Sequence, residues 1–149
     1  MLYSMEDLDL LKFLFPIISY SIICGSILGI EREINNKKAG IKTNILICFG
    51  SALFTICSVL VTKEVGDPSR VISQIVSGIG FLGAGTIIRY NDKVSGLTSA
   101  AIIWVASAIG IMIGLGHGLT ASVTTFIIVI ILMVVRFLER KFIYQRKDD

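Results

Sequence analysis

Histidine, proline, cysteine and charge are all scarce in this sequence, and each shortage excludes something. The 149 residues include one histidine, two prolines and three cysteines, and charged side chains make up only 17 %. The single histidine, His117, lies in the glycine-rich turn Gly114-Leu115-Gly116-His117-Gly118. No serine or cysteine stands at motif distance from a base, so a hydrolytic triad has no candidates and no catalytic residue is assigned. Cys24, Cys48 and Cys57 show no metal-type spacing and fall in apolar runs, where they read as small fillers. The first ten residues lack any basic side chain and carry Glu6, Asp7 and Asp9. A signal peptide needs the opposite charge there, so the first apolar run is expected to stay attached as an anchor.

The scarcest feature is charge inside four stretches. None occurs from Phe13 to Ile30, Asn44 to Thr62, Val71 to Ile88, or Thr98 to Val135. A bilayer core about 30 Å thick takes roughly 20 apolar residues of helix to cross. The last stretch is long enough for two crossings, with the glycine-rich turn between them. What is abundant fits the same solvent: 54 % of the residues are hydrophobic. The expected fold is therefore all-α, a single polytopic membrane domain with about five transmembrane helices. They lie near residues 11–30, 44–62, 71–88, 99–115 and 119–135, followed by a basic tail over 136–149. Asp67-Pro68-Ser69 offers a cap and a proline for the third helix, and Asn91-Asp92 with Ser95-Gly96 marks a turn before the fourth.

Five crossings put the two ends on opposite sides. Lys12, Lys63 and Arg70 fall on one side, and the remaining eleven of the 14 basic residues on the other. Short basic loops stay in the cytoplasm, so the N-terminus is expected outside and the C-terminus inside. The net charge of +3 then reflects topology, and no nucleic-acid partner is expected.

Glycine, by contrast, is plentiful. Gly78-Ile79-Gly80-Phe81-Leu82-Gly83 matches the G-x-G-x-x-G string of dinucleotide-binding turns. That string works only after a strand, before a helix, and with an acidic residue about 20 positions later. Here it lies in an apolar run, and Ile102-Ile103-Trp104 occupies the place of the acid. No cofactor is expected. Small residues in membrane helices allow backbones to approach one another. Ser73, Ser77, Gly80 and Ala84 share one face of the third helix, Gly25 and Gly29 notch the first, and Ala106, Gly110, Gly114 and Gly118 follow one another at i+4. The fifth helix, bulky from Phe126 to Val135, is expected to face lipid. Gly78, Gly80, Gly83 and Gly85 together exceed what one groove needs. A partly unwound segment exposing carbonyls to an ion is the alternative.

Three stretches carry a resemblance to the MgtC/SapB family of bacterial membrane proteins. They are Gly25-Ser-Ile-Leu-Gly29-Ile-Glu31-Arg32-Glu33 running on to Ala39-Gly40-Ile41-Lys42-Thr43, then Asp67-Pro68-Ser69-Arg70 through Gly85, then Gly96-Leu97-Thr98-Ser99-Ala100-Ala101 with Trp104. Their order and spacing hold from about residue 20 to 120. Lys42 replaces the usual arginine and Asn44 a common histidine. Longer members add a soluble cytoplasmic domain, so the chain resembles a short form. The resemblance implies a non-enzymatic protein of the bacterial inner membrane, linked to adaptation to low magnesium and, in pathogens, to survival inside host cells. It also implies action on the F-type ATP synthase in place of magnesium transport.

Functional candidates lie at the membrane edges. Glu31, Arg32 and Glu33 end the first helix, and Glu31 and Glu33 point roughly 200° apart, so they cannot chelate one ion together. They are either solvated, or one turns inward and pairs with Lys42 or Arg89. Asp67 caps the third helix, with Arg70 and Gln74 one turn apart. Magnesium takes octahedral oxygen ligands, usually including a carboxylate, and no predicted span holds one at mid-membrane. A coupled carrier is thereby disfavoured. A channel lined by Ser73, Gln74 and Ser77 stays open as the alternative. The tail, with Phe137, Phe142 and Tyr144 among its basic residues, suits anionic lipid. Partners expected are the bilayer, further copies of the chain, and a membrane subunit of the ATP synthase.

Overall fold

The computed structural model describes residues 7–62 and 66–144. Five helices form, in the order expected: α1 (Asp7–Ile34), α2 (Ile41–Val61), α3 (Ser69–Ala84), α4 (Leu97–Gly114) and α5 (Gly118–Tyr144). A short antiparallel hairpin, β1 (Ile88–Tyr90) and β2 (Lys93–Ser95), joins α3 to α4. The protein is an all-α polytopic membrane protein. Among the described residues, Leu11–Ile34, Ile41–Val61, Leu97–Gly114 and Gly118–Phe142 are long and apolar enough to cross a bilayer.

Side-chain contacts fix the direction of each helix. A Cβ placed on Gly25 would lie 2.5 Å from Ile45 Cα, and one on Gly29 would meet Ile41, so α1 and α2 run antiparallel. Cys48 Sγ reaches Ala106 O at 3.3 Å, while Gly114, further along α4, sits against Ala52 and Thr55, further along α2. These two helices are therefore parallel. Gly118 packs on Tyr20, Cys24 approaches Ser122, and Glu31 meets Arg136, which makes α1 and α5 parallel as well.

The parallel pair α2 and α4 determines the role of α3. Ser58 Oγ donates to Pro68 O at 2.7 Å, placing the start of α3 beside the end of α2. Gly83 lies against Ala100, placing its end beside the start of α4. α3 thus returns the chain along the length of its neighbours. With 16 residues it is about 24 Å long, against about 31 Å for the 21 residues of α2. It is the shortest of the five helices and is not among the four long and apolar enough to cross a bilayer.

The core lies where α1, α2 and α4 meet, with the start of α5. Cys24, Leu28, Cys48, Ala52, Ile103, Ala106, Ile109, Ile113 and Ala121 are buried there, whereas α3 contributes only Ile79. Lipid offers helices no hydrophobic reward for associating, so close van der Waals contact holds this core together. Gly110 and Gly114 supply it: a Cβ on Gly114 would lie 2.6 Å from Ala52 O. The fourth member of the expected ridge, Gly118, instead opens α5 against the Tyr20 ring.

Several boundaries differ from expectation. α3 stops at Ala84, four residues early, because Thr86 Oγ caps Gly83 O at 2.7 Å and the β-branched Thr86-Ile87-Ile88 enters a strand. The hairpin turns on Asn91, at φ +50°. Gly96, at φ +93°, lies so close to Thr86 O that no Cβ fits. The alternative of an unwound glycine segment is overturned: α3 is regular helix through Gly78, Gly80 and Gly83. The basic tail is not a separate segment either, since α5 continues as helix to Tyr144.

Candidate functional site

Charge is scarce inside this protein, so a buried charged cluster is the feature that stands out. It forms where the last turn of α1 lies beside α5 at Arg136. Glu31 and Arg32 are buried, with side chains only 5 % and 1 % exposed. Glu31 Oε2 accepts from Arg32 Nε. Its other oxygen, Oε1, accepts from Arg136 Nη2 at 2.5 Å and from Asn35 Nδ2 at 3.1 Å. One carboxylate is thus shared by two guanidinium groups. Arg32 Nη1 has no hydrogen-bond partner. Charges buried this way depend on one another, because removing one leaves the rest uncompensated.

The pairing corrects the expectation. Glu31 does turn inward, but it meets Arg32 and Arg136, not Lys42 or Arg89. The physical reason is the parallel packing of α1 and α5, which brings together residues 105 positions apart. Glu33 points elsewhere and is exposed. Its Oε1 accepts the Ile41 N–H at 3.1 Å, capping α2 from the preceding helix. Gly40 leaves the space for it, since a Cβ there would lie 2.5 Å from Oε1. Asn44, fully buried, donates through Nδ2 to Ala39 O and Gly40 O and so ties down the same loop.

The candidates at the opposite end stay apart from this cluster. Asp67 accepts from Ser69 Oγ at 2.7 Å and from Ser69 N–H at 2.9 Å, which satisfies one free amide at the start of α3. These two hydrogen bonds, the hydroxyl first, hold the Asp67 carboxyl below its ordinary value. Arg70 and Gln74 are exposed.

The small-residue face of α3 is placed differently from the notches of α1 and α4. Ser73, Ser77, Gly80 and Ala84 are all exposed, and a Cβ on Gly80 would meet nothing within 4 Å. Gly78 lines a cleft of about 610 Å³ between α2 and α3, with Phe54, Gln74 and Leu82. Gly83 alone touches another helix, and Gly85 touches only its own last turn. Within one copy of the chain, then, this face packs against no other helix.

One polar stripe was not anticipated. Asn44, Cys48, Ser51, Thr55 and Ser58 recur along α2 and are buried, the middle three against α4. Ser51 and Ser107 hydroxyls pair at 3.0 Å, and Thr55 Oγ1 returns to Ser51 O at 2.8 Å. The i+3 and i+4 spacing was visible in the sequence.

Residues 18–141 match the profile of the MgtC family. The chain belongs to that family. It is 46 % identical over 127 residues to YhiD of Escherichia coli K12, named as a proposed magnesium transporter, covering 78 % of this chain and 59 % of that protein. Protein MgtC of Salmonella typhimurium is 41 % identical over 108 residues, or 72 % of this chain and 46 % of its own length. Protein MgtC of Brucella abortus is 41 % identical over 109 residues, 73 % of this chain and 45 % of its own. The MgtC-family chain therefore spans about half the length of these relatives. No solved structure matches it. Glu31, Arg32 and Arg136 all fall inside the matched range. With its apolar helices, the MgtC-family protein is a multi-pass protein of the bacterial inner membrane.

Proposed function

We propose that this MgtC-family protein is a non-enzymatic regulator in adaptation to low magnesium. It acts on another membrane complex, such as a membrane subunit of the F-type ATP synthase, and self-associates through α3. One observation carries the reading. The buried carboxylate and the hydroxyls midway along α2 are already paired: Glu31 with two arginines and an asparagine, Ser51 with Ser107, Thr55 with its own helix. Ser21 Oγ, Asn44 Oδ1 and Arg32 Nη1 are buried without a hydrogen-bond partner among the described residues. A pump or coupled carrier places ionisable groups along its path through the membrane. The buried charge of the described residues is instead confined to the end of α1 and its contact with α5. Among the described residues, no three His, Cys, Asp or Glu side chains converge.

The supporting argument for self-association is the open face of α3. Ser73, Ser77 and Gly80 lie exposed on a helix that runs back beside α2 and α4. Hydroxyls there gain from a protein neighbour and gain little from lipid.

The second reading is a cation channel or transporter, the activity that the YhiD relative's name proposes. It is favoured by the same face, since Ser73, Gln74 and Ser77 would line a path between copies. Deletion of the gene separates the two. The regulator reading expects poor growth in low magnesium with an unchanged initial rate of magnesium uptake. Selective magnesium flux through the purified protein in liposomes would overturn it.

A further inference from the structure

The end of α1 and the second half of α5 line a cleft of about 590 Å³. Its lining changes character along the helices. Ile27, Ile30, Val129 and Met133 come first, and Asn35, Arg136 and Arg140 stand at the far end, together with Glu31, which is already paired with Arg136. The first group belongs to the apolar stretches Leu11–Ile34 and Gly118–Phe142. The second brings in charge close to the ends of those stretches.

The balance of charge at that end is positive. Arg32, Arg136 and Arg140 are set against the single carboxylate of Glu31, whose two oxygens are already occupied by Arg32, Arg136 and Asn35. Arg136 and Arg140 are one turn apart on α5, so their guanidinium groups lie on one face. Arg140 is exposed and has no carboxylate within ion-pair distance among the described residues. Neighbouring Glu139 and Lys141 do not line the cleft.

An apolar trough ending in two arginines has the polarity of one ligand class. We propose that the cleft holds an anionic phospholipid, its phosphate against Arg136 and Arg140 and an acyl chain along Ile30, Val129 and Met133. Guanidinium forks bind phosphate oxygens in pairs. Basic residues at the end of a membrane helix attract anionic headgroups. A free phosphate ion would answer the charge and leave the apolar wall without an occupant.

The test uses the purified protein in mixed micelles of phosphatidylglycerol and phosphatidylcholine at equal mole fraction, with bound lipid counted by native mass spectrometry. Phosphatidylglycerol should be retained in preference. Arg140→Gln should lower its retention about fivefold, the loss expected for one arginine near a headgroup. Val129→Trp, which fills the trough without changing charge, should lower it as well. Lys141→Gln, on the same helix outside the cleft, should leave it unchanged. Three results would overturn the assignment: equal retention of the two lipids, equal losses in Arg140→Gln and Lys141→Gln, or displacement of phosphatidylglycerol by excess inorganic phosphate. Arg136 is left intact because it also holds Glu31.

Discussion

Gly110 on α4 and Gly80 on α3 are the same residue in two neighbouring helices, yet a methyl group added to each would meet opposite surroundings. At Gly110 it would press within 2.8 Å of Ser51 Cβ; at Gly80 it would meet nothing within 4 Å. The contrast extends to the regions around them. The bundle of α1, α2 and α4 is closed, with polar side chains paired inside it. α3 is short, meets α4 at Gly83 and α2 at its start, and leaves the Ser73, Ser77, Gly80 and Ala84 face exposed. Glycine spacing therefore reports that a helix face is smooth. It does not report what the face meets.

The largest effect concerns whether α3 completes the path of the others. If it returns through the membrane, a reporter fused after Gly66 and one fused after Asp149 lie on opposite sides. By the distribution of basic residues, a reporter active only in the cytoplasm should be active after Asp149 and silent after Gly66. Equal activity at the two sites would remove α3 from the crossings and make the bundle one of four.

Within the closed region, Glu31→Ala leaves Arg32 buried without its carboxylate. Breaking a buried pair from one side costs about 3–5 kcal/mol. Thermal unfolding in detergent should show a large drop for Glu31→Ala. Glu33→Ala, two positions on, removes only a cap to the Ile41 N–H and should cost about 1 kcal/mol. Similar drops for both would mean that the cluster around Glu31 carries no special weight.

The bundle was legible in the sequence for a simple reason: a bilayer excludes charge, so the helices appear as gaps in the charge pattern. The notches at Gly25, Gly29, Gly110 and Gly114 were legible because few residues besides glycine permit such contact. The partner of Glu31 was not, since nothing local links it to Arg136, 105 residues away. Nor was the hairpin, whose turn showed but whose three-residue strands are too short for an alternating pattern.

Leucine substitutions sharpen the comparison of glycines directly. Gly110→Leu should destabilise the single chain by about 1–3 kcal/mol or more, because backbone lies where the side chain must go. Gly80→Leu should leave thermal stability of the single chain unchanged and weaken crosslinking between copies instead. Ile131→Leu, exposed on α5, serves as the control and should alter neither. A Gly80→Leu protein that crosslinks and supports growth in low magnesium as well as the parent would show that the open face of α3 has no partner.

The smallest effect lies at the entry to α3, where Asp67 caps the helix from an exposed position. Its carboxyl is held below the ordinary value by the Ser69 hydroxyl and amide, so the folded state favours the charged form more than the unfolded chain does. The contribution is then present at pH values above the ordinary carboxylate range, about 3.9 for aspartate. It fades as pH falls through the lowered value, because the unfolded chain takes up the proton first. Asp67→Asn should therefore melt slightly below the parent at pH 7, with the gap closing as the pH is lowered past 4. A gap that stays constant with pH would assign the difference to the shape of the side chain and not to its charge. If the gap is absent at pH 7, α3 begins without help from Asp67, and its position rests on the Ser58–Pro68 contact and on Gly83.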